Sequence, residues 1–137
     1  LFERAAKEFK TIVEQKICPL DIITEESIDN AFLLDLAMGG STNTVLHTLA
    51  LAHEAGIPYD LKRINDLADK TPNVCKVSPS RPDIHMEDVH RVGGMAAILK
   101  AAKDSGAPLK TSQRTLIGTL EEFIQDAPES DGDVIRI

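Results

Sequence analysis

The sequence predicts a mainly α-helical fold with few, short strands. Three observations carry that prediction. Apolar residues recur at three- and four-residue intervals along most of the chain. Small polar residues that accept hydrogen bonds from free helix N–H groups stand ahead of four of these runs: Thr24, Ser41-Thr42, Asp60 and Thr119. Glycine or proline closes the runs, at Pro19, Gly39-Gly40, Gly56, Pro72 and Gly106.

The elements follow in order. Phe2, Ala5, Ala6, Phe9, Ile12, Val13 and Ile17 share one face of a first helix, predicted over 2–17, with Glu and Lys on the other side. Thr24 caps a second, with Glu25 and Glu26 in its first turn where negative charge suits the helix dipole. Ile28, Ala31, Phe32 and Leu36 continue it to Gly39-Gly40. The third helix is predicted over 42–55, with Ser41 or Thr42 as its cap, Val45, Leu46, Leu49 and Ala50 inward, and Gly56 past its end. Asp60 caps a short surface helix holding Leu61, Ile64, Leu67 and Ala68.

Pro72, Pro79 and Pro82 punctuate the loop that follows, in which Val74–Val77 reads as a short extended piece. A long helix is predicted over 86–103, with Val89, Val92, Ala96, Leu99 and Ala102 inward. Gly93-Gly94 lies inside it, so either the helix breaks there or another backbone packs close. Thr119 and Glu122 have the spacing of a capping box for a brief helix to about 125. Val134–Ile137 reads as a terminal strand or a cut end.

With 137 residues the chain suits one domain with a real core. Aromatic residues are only 4% and Trp is absent, so that core must be aliphatic. The net charge is −7, with Lys and Arg scattered, which argues against nucleic acid as a partner. No apolar run is long enough to span a bilayer, so no membrane partner is expected. Cys18 and Cys75 stand 57 positions apart and form no CxxC pair, consistent with ordinary buried or half-buried thiols in a reduced, cytoplasmic setting. The chain begins at Leu1, which reads as a processed product or a piece of a longer chain.

Chemistry-bearing residues are few. The Gly39–Asn43 turn opens a helix, and a helix N-terminus suits a carboxylate or phosphate as well as a simple cap. His85-Met86-Glu87-Asp88-Val89-His90-Arg91 is the densest polar group. Glu87 and Arg91 stand at i,i+4 and can pair, worth a few tenths of a kcal/mol. His85 and His90 lie five apart, about 500° around a helix, and share no face for a metal. His47 and His53 also miss a common face. No nucleophile elbow, phosphate loop or dinucleotide fingerprint occurs. The residues alone therefore specify a helical domain without a complete active site, and a non-catalytic helical interaction module is one reading.

The stretches Ala37–His47, Leu51–Gly56 and His85–Gly94, with a looser match at Pro19–Thr24, resemble the dihydroxy-acid and 6-phosphogluconate dehydratase family, which includes sugar-acid dehydratases. The resemblance runs nearly end to end. It implies a mainly α segment within an α/β parent domain: residues 1–137 as the later part of the family's N-terminal domain, without the C-terminal barrel domain. It implies a hydro-lyase that converts 2,3-dihydroxy acids to 2-keto acids in valine and isoleucine biosynthesis. A 6-phosphogluconate or sugar-acid dehydratase is the alternative. VCKVSPS and HMEDVHRVGG look closer to the branched-chain members.

The resemblance also implies an iron–sulfur cluster and Mg²⁺ in a homodimeric parent that takes a small-molecule dihydroxy acid. The family's cluster motifs, CDKxxPG and CGGMYTANTM-like, and its TDGRFSGG-like serine motif are absent from this sequence. No catalytic, cofactor-binding or metal residue is therefore assigned here, and no cofactor is expected on this segment alone. Gly39, Gly40, Ser41, Thr42 and Asn43 are expected to line an active-site wall or a dimer contact. Glu87, Asp88, His90 and Arg91 are expected to brace a loop near it.

Overall fold

The structure, a computed structural model, describes residues 2–137, with the side chain of Arg4 outside the description. Leu1, on which the reading of a processed or cut chain rested, lies outside the described residues. Among the described residues seven α-helices follow in order: α1 (Phe2–Glu14), α2 (Glu25–Ala37), α3 (Thr42–Glu54), α4 (Leu61–Ala68), α5 (Met86–Arg91), α6 (Gly94–Asp104) and α7 (Leu120–Ile124). A single 3₁₀ turn, Pro19–Asp21, sits between α1 and α2. Among the described residues the strand content is two isolated antiparallel bridges, Cys75 with Ile135 and Arg114 with Thr119. The mainly helical class is as the sequence predicts. The expected extended piece and terminal strand meet at one bridge, where the Arg136 N–H also donates to the Val74 carbonyl at 2.8 Å.

α2 organises the fold, because it packs on α3 and α4 with one side and on α6 with another. Its apolar residues form two adjacent i,i+4 stripes. Ile28 and Phe32 enter a core with Ala52 and Ile64. Leu33 and Ala37 enter a larger one with Val74, Val89, Ile98, Ala102 and Ile135. Phe32 stacks on Tyr59 with ring centroids 5.3 Å apart. Full burial of a side chain of this size stabilises the fold by about 2–3 kcal/mol. A third cluster, Leu99, Leu120 and Ile124, fixes α7 against α6.

Buried Asn30 of α2 and half-buried Thr24, its N-cap, tie distant loops to it. Asn30 both donates to the Lys110 carbonyl (2.9 Å) and accepts from the Lys110 N–H (2.8 Å). Thr24 accepts from the Ser27 N–H (3.2 Å) as the expected cap, and its hydroxyl also donates to Gln113 (2.8 Å).

Five expectations need correction. α1 ends at Glu14 instead of Ile17, because Lys16 turns to φ +54° and the Ile17 N–H reaches back to the Ile12 carbonyl. α3 faces inward with Val45, Leu49 and Ala52, while Leu46 and Ala50 are exposed. That helix carries two apolar stripes, and the position of α2 selects one. Likewise Ala31 of α2 points to solvent while Leu33 and Ala37 are buried.

The expected long helix breaks into α5 and α6. Gly93 adopts φ +115° and Gly94 φ +68°, and a Cβ on Gly93 would stand 2.4 Å from the Pro128 side chain. Of the two expected reasons for the glycines the helix break is the one met, and what packs close on Gly93 is a side chain and no backbone. Finally, Cys18 is exposed, whereas Cys75 is buried as expected.

Candidate functional site

The Gly39–Asn43 turn is built by the end of α2 and the start of α3. Gly39 takes φ +60°, a left-handed conformation that residues with a Cβ resist. The Gly40 N–H then closes on the Asp35 carbonyl five residues back, at 2.8 Å. The Asp35 carboxylate accepts from the Ser41 N–H (3.1 Å), and the Ser41 hydroxyl accepts from the Asn43 N–H (3.2 Å). Ser41, one of the two caps the sequence offers, is therefore the N-cap of α3, and Gly39 takes the unusual backbone. A Cβ on Gly40 would stand 2.0 Å from the Asp35 carboxylate oxygen, so a side chain there would displace the group that holds Ser41.

This turn forms one wall of a cleft of about 500 Å³. Gly39, Gly40, Ser41 and Thr42 line one side, and Val77, Ser78, Pro79 and Ser80 the other. The second wall is held from behind. The Ser78 N–H donates to the Ile84 carbonyl (2.8 Å). Arg81 reaches both the backbone carbonyl and the carboxylate of Asp133, each at 2.7 Å, and also pairs with Asp83. The Arg81 guanidinium holds the Asp83 carboxyl below its ordinary range.

The cleft presents hydroxyls and the start of a helix, without a carboxylate, imidazole or ammonium among its lining residues. Such a surface can hydrogen-bond hydroxyl or carboxylate oxygens. It has no group suited to moving a proton near neutral pH.

Asn43 takes part through its backbone and is not among the lining residues. None of Glu87, Asp88, His90 and Arg91 lines the cleft either. Arg91 pairs with Glu87 at 2.5 Å, as the spacing predicts, and with Asp88 at 3.1 Å. The second Asp88 oxygen accepts from the His85 N–H at 2.8 Å, which fixes the start of α5. His90 is exposed. The group holds its own short helix together. Among the described residues, no set of three His, Cys, Asp or Glu is arranged to hold a metal ion. Burial pushes the Cys75 thiol up, away from the thiolate form that binds iron. The described residues therefore do not by themselves make up an iron–sulfur cluster or Mg²⁺ site.

The strongest polar network is one the sequence reading missed. Asp29, buried in α2, accepts two hydrogen bonds from Arg63 (2.7 and 2.6 Å) and one from Tyr59 (2.6 Å). Arg63 also pairs with Glu25 and lies over the Tyr59 ring, 5.1 Å from its centroid. Burial pushes the Asp29 carboxyl up, but the hydrogen bonds from Arg63 and Tyr59 outweigh it and hold it below 3.8. Burial and the neighbouring Asp29 charge push the Tyr59 phenol up. The network clamps α4 to α2. An acid amid the apolar residues of α2 is the one signal of it in the sequence.

The family model described as dihydroxy-acid/6-phosphogluconate dehydratase N-terminal matches residues 1–123. The chain belongs to that family. Among its relatives is the dihydroxy-acid dehydratase of Aquifex aeolicus (strain VF5), 47% identical over 137 residues. The match takes in 99% of this chain and 24% of the relative, so the chain spans about a quarter of the relative's length. No described helix is long and apolar enough to cross a membrane.

Proposed function

We propose that this chain is a segment of a hydro-lyase that converts a branched 2,3-dihydroxy acid to the 2-keto acid. Loss of the C3 hydroxyl and the C2 proton as water leaves an enol, which ketonises. One observation carries the reading: identity of 47% with a dihydroxy-acid dehydratase, sustained across 99% of this chain. The family also includes 6-phosphogluconate dehydratases, and the relative favours the dihydroxy-acid branch. A helical interaction module without chemistry has no comparable support.

On this reading residues 1–137 form the later part of an N-terminal domain, and the barrel domain is carried elsewhere in a homodimeric, cytoplasmic parent. The implied iron–sulfur cluster and Mg²⁺ belong to polypeptide beyond these residues. No step of the reaction is routed through a side chain of this chain. What the chain contributes is a wall. The Gly39–Thr42 turn faces the substrate, and the hydroxyls of Ser41 and Thr42 position its oxygens while the turn keeps its backbone fixed. Glu87, Asp88 and Arg91 stiffen α5 and are not part of that wall.

The test is a graft. The aligned quarter of the Aquifex aeolicus enzyme is replaced by these 137 residues, and the purified protein is offered a branched 2,3-dihydroxy acid and 6-phosphogluconate. Turnover of the former well above the latter is expected. A folded graft that dehydrates only 6-phosphogluconate, or neither acid, would sink the proposal.

A further inference from the structure

α1 is the one helix of the described chain that packs on no other helix. Its sequence is nevertheless patterned for packing, with Phe2, Ala5, Phe9, Ile12 and Val13 on one face. Phe2, Phe9 and Val13 are 87%, 65% and 59% exposed, and only Ile12 is partly covered. A lone 13-residue helix is marginal in water, so such a stripe points to a partner surface.

Three occupants are physically available. A membrane surface favours helices with a basic polar face. Here Glu3, Glu8 and Glu14 balance Arg4, Lys7 and Lys10, on a chain of net charge −7. A second copy would pair two α1 faces. A 13-residue helix is about 20 Å long and about 10 Å wide, so each face offers far less than the roughly 800 Å² per partner of a stable interface. An occupant on the same polypeptide avoids the translational and rotational cost of association, so a small apolar strip suffices. The chain spans only 24% of its relative, so three quarters of such a polypeptide remain to supply it, and the family match starts at residue 1 and includes α1.

We propose that the Phe2–Phe9–Val13 face of α1 is a docking surface for the part of the longer dehydratase polypeptide outside these 137 residues. This rests on the reading of the chain as a segment of that enzyme. α1 then acts as a strap, held by sequence distant from it and free of the α2-centred core.

Hydrogen exchange tests it, on the 137-residue chain alone and on the Aquifex aeolicus graft. In the chain alone, α1 amides exchange fast at every concentration, and Phe9→Glu leaves the melting temperature unchanged. In the graft, α1 amides exchange about 100-fold slower, because opening them requires undocking. Phe9→Glu abolishes that protection, the milder Val13→Thr reduces it about tenfold, and Phe9→Leu keeps it. Fast exchange of α1 in the folded graft would overturn the proposal. So would protection in the chain alone that grows with concentration and is lost with Phe9→Glu, which would identify a second copy, or binding of the chain to anionic phospholipid vesicles. Graft turnover is a separate readout. An inactive graft with a protected α1 counts against the dehydratase reading alone, and an active graft with an unprotected α1 against the docking alone.

Discussion

Gly39-Gly40 and Gly93-Gly94 each end a helix, and their surroundings differ. At Gly93 both the backbone and the space demand glycine: φ is +115°, and Pro128 and Ala97 stand within 3 Å of where a Cβ would be. Packing seals that joint between α5 and α6. At Gly39-Gly40 the demand comes from the backbone of Gly39 and, beside Gly40, from Asp35, whose carboxylate oxygen would stand 2.0 Å and whose backbone carbonyl 3.2 Å from a Cβ. The far side of this turn opens on a cleft of about 500 Å³. The same dipeptide thus serves a packing joint in one place and an open wall in the other. The difference lies in residues distant in sequence: Pro128 for the first pair, Val77–Ser80 for the second.

The largest effect expected is at the sealed joint. Gly93→Val combines backbone strain with overpacking and should destabilise the chain by about 3–5 kcal/mol in chemical denaturation. A loss below about 1 kcal/mol would mean that Pro128 does not close on Gly93 and that the two pairs are alike.

Next comes a clamp remote from both turns, which calibrates them. Arg63→Ala leaves the buried Asp29 carboxylate without its bidentate partner and should cost about 2–4 kcal/mol at neutral pH. The folded Asp29 carboxyl is held below 3.8, so its contribution is present above the unfolded value and is lost as pH falls through the lower folded value. Urea midpoints of the wild type and variant should therefore converge below about pH 4. A gap that persists unchanged to pH 2 would show that the clamp is held by packing and not by charge.

At the open turn the effects are smaller. Gly39→Ala should cost about 1–2 kcal/mol through its positive φ. Gly40→Val should cost about 1 kcal/mol, because Asp35 swings away and the Ser41 N–H loses its acceptor. Ser41→Ala should cost about 1 kcal/mol as the loss of an N-cap. If any of these approached the cost of Gly93→Val, the turn would be a packed joint and the contrast would fail.

The parts of this molecule legible in sequence are those decided within a few residues. The caps at Thr24, Ser41, Asp60 and Thr119 all accept the backbone N–H groups expected of them, since cap and partner lie two or three positions apart. The Glu87–Arg91 pair formed for the same reason. Parts decided by long-range packing were not legible. Leu46 and Ala52 both suit a buried helix face, and only the placement of α2 leaves Leu46 exposed. The Asp29–Arg63 clamp joins residues 34 positions apart. The motif turn was visible as a turn, but the loop that faces it across the cleft lies more than thirty residues on, so its cleft was not. The identity of the family was legible because it rests on local wording, at Ala37–His47 and His85–Gly94, that does not depend on packing.

The central claim is that the open turn faces the substrate. Thr42→Val in the Aquifex aeolicus graft tests it most directly, because Thr42 is exposed at the first position of α3, on the rim of the cleft. The swap keeps the side chain's shape and removes its hydroxyl. If the turn faces the substrate, kcat/KM for the branched dihydroxy acid falls about tenfold or more, with the melting temperature unchanged. An unchanged kcat/KM, or a loss no greater than the change in stability explains, would contradict that claim and leave the Gly39–Thr42 turn a capped helix start and nothing more.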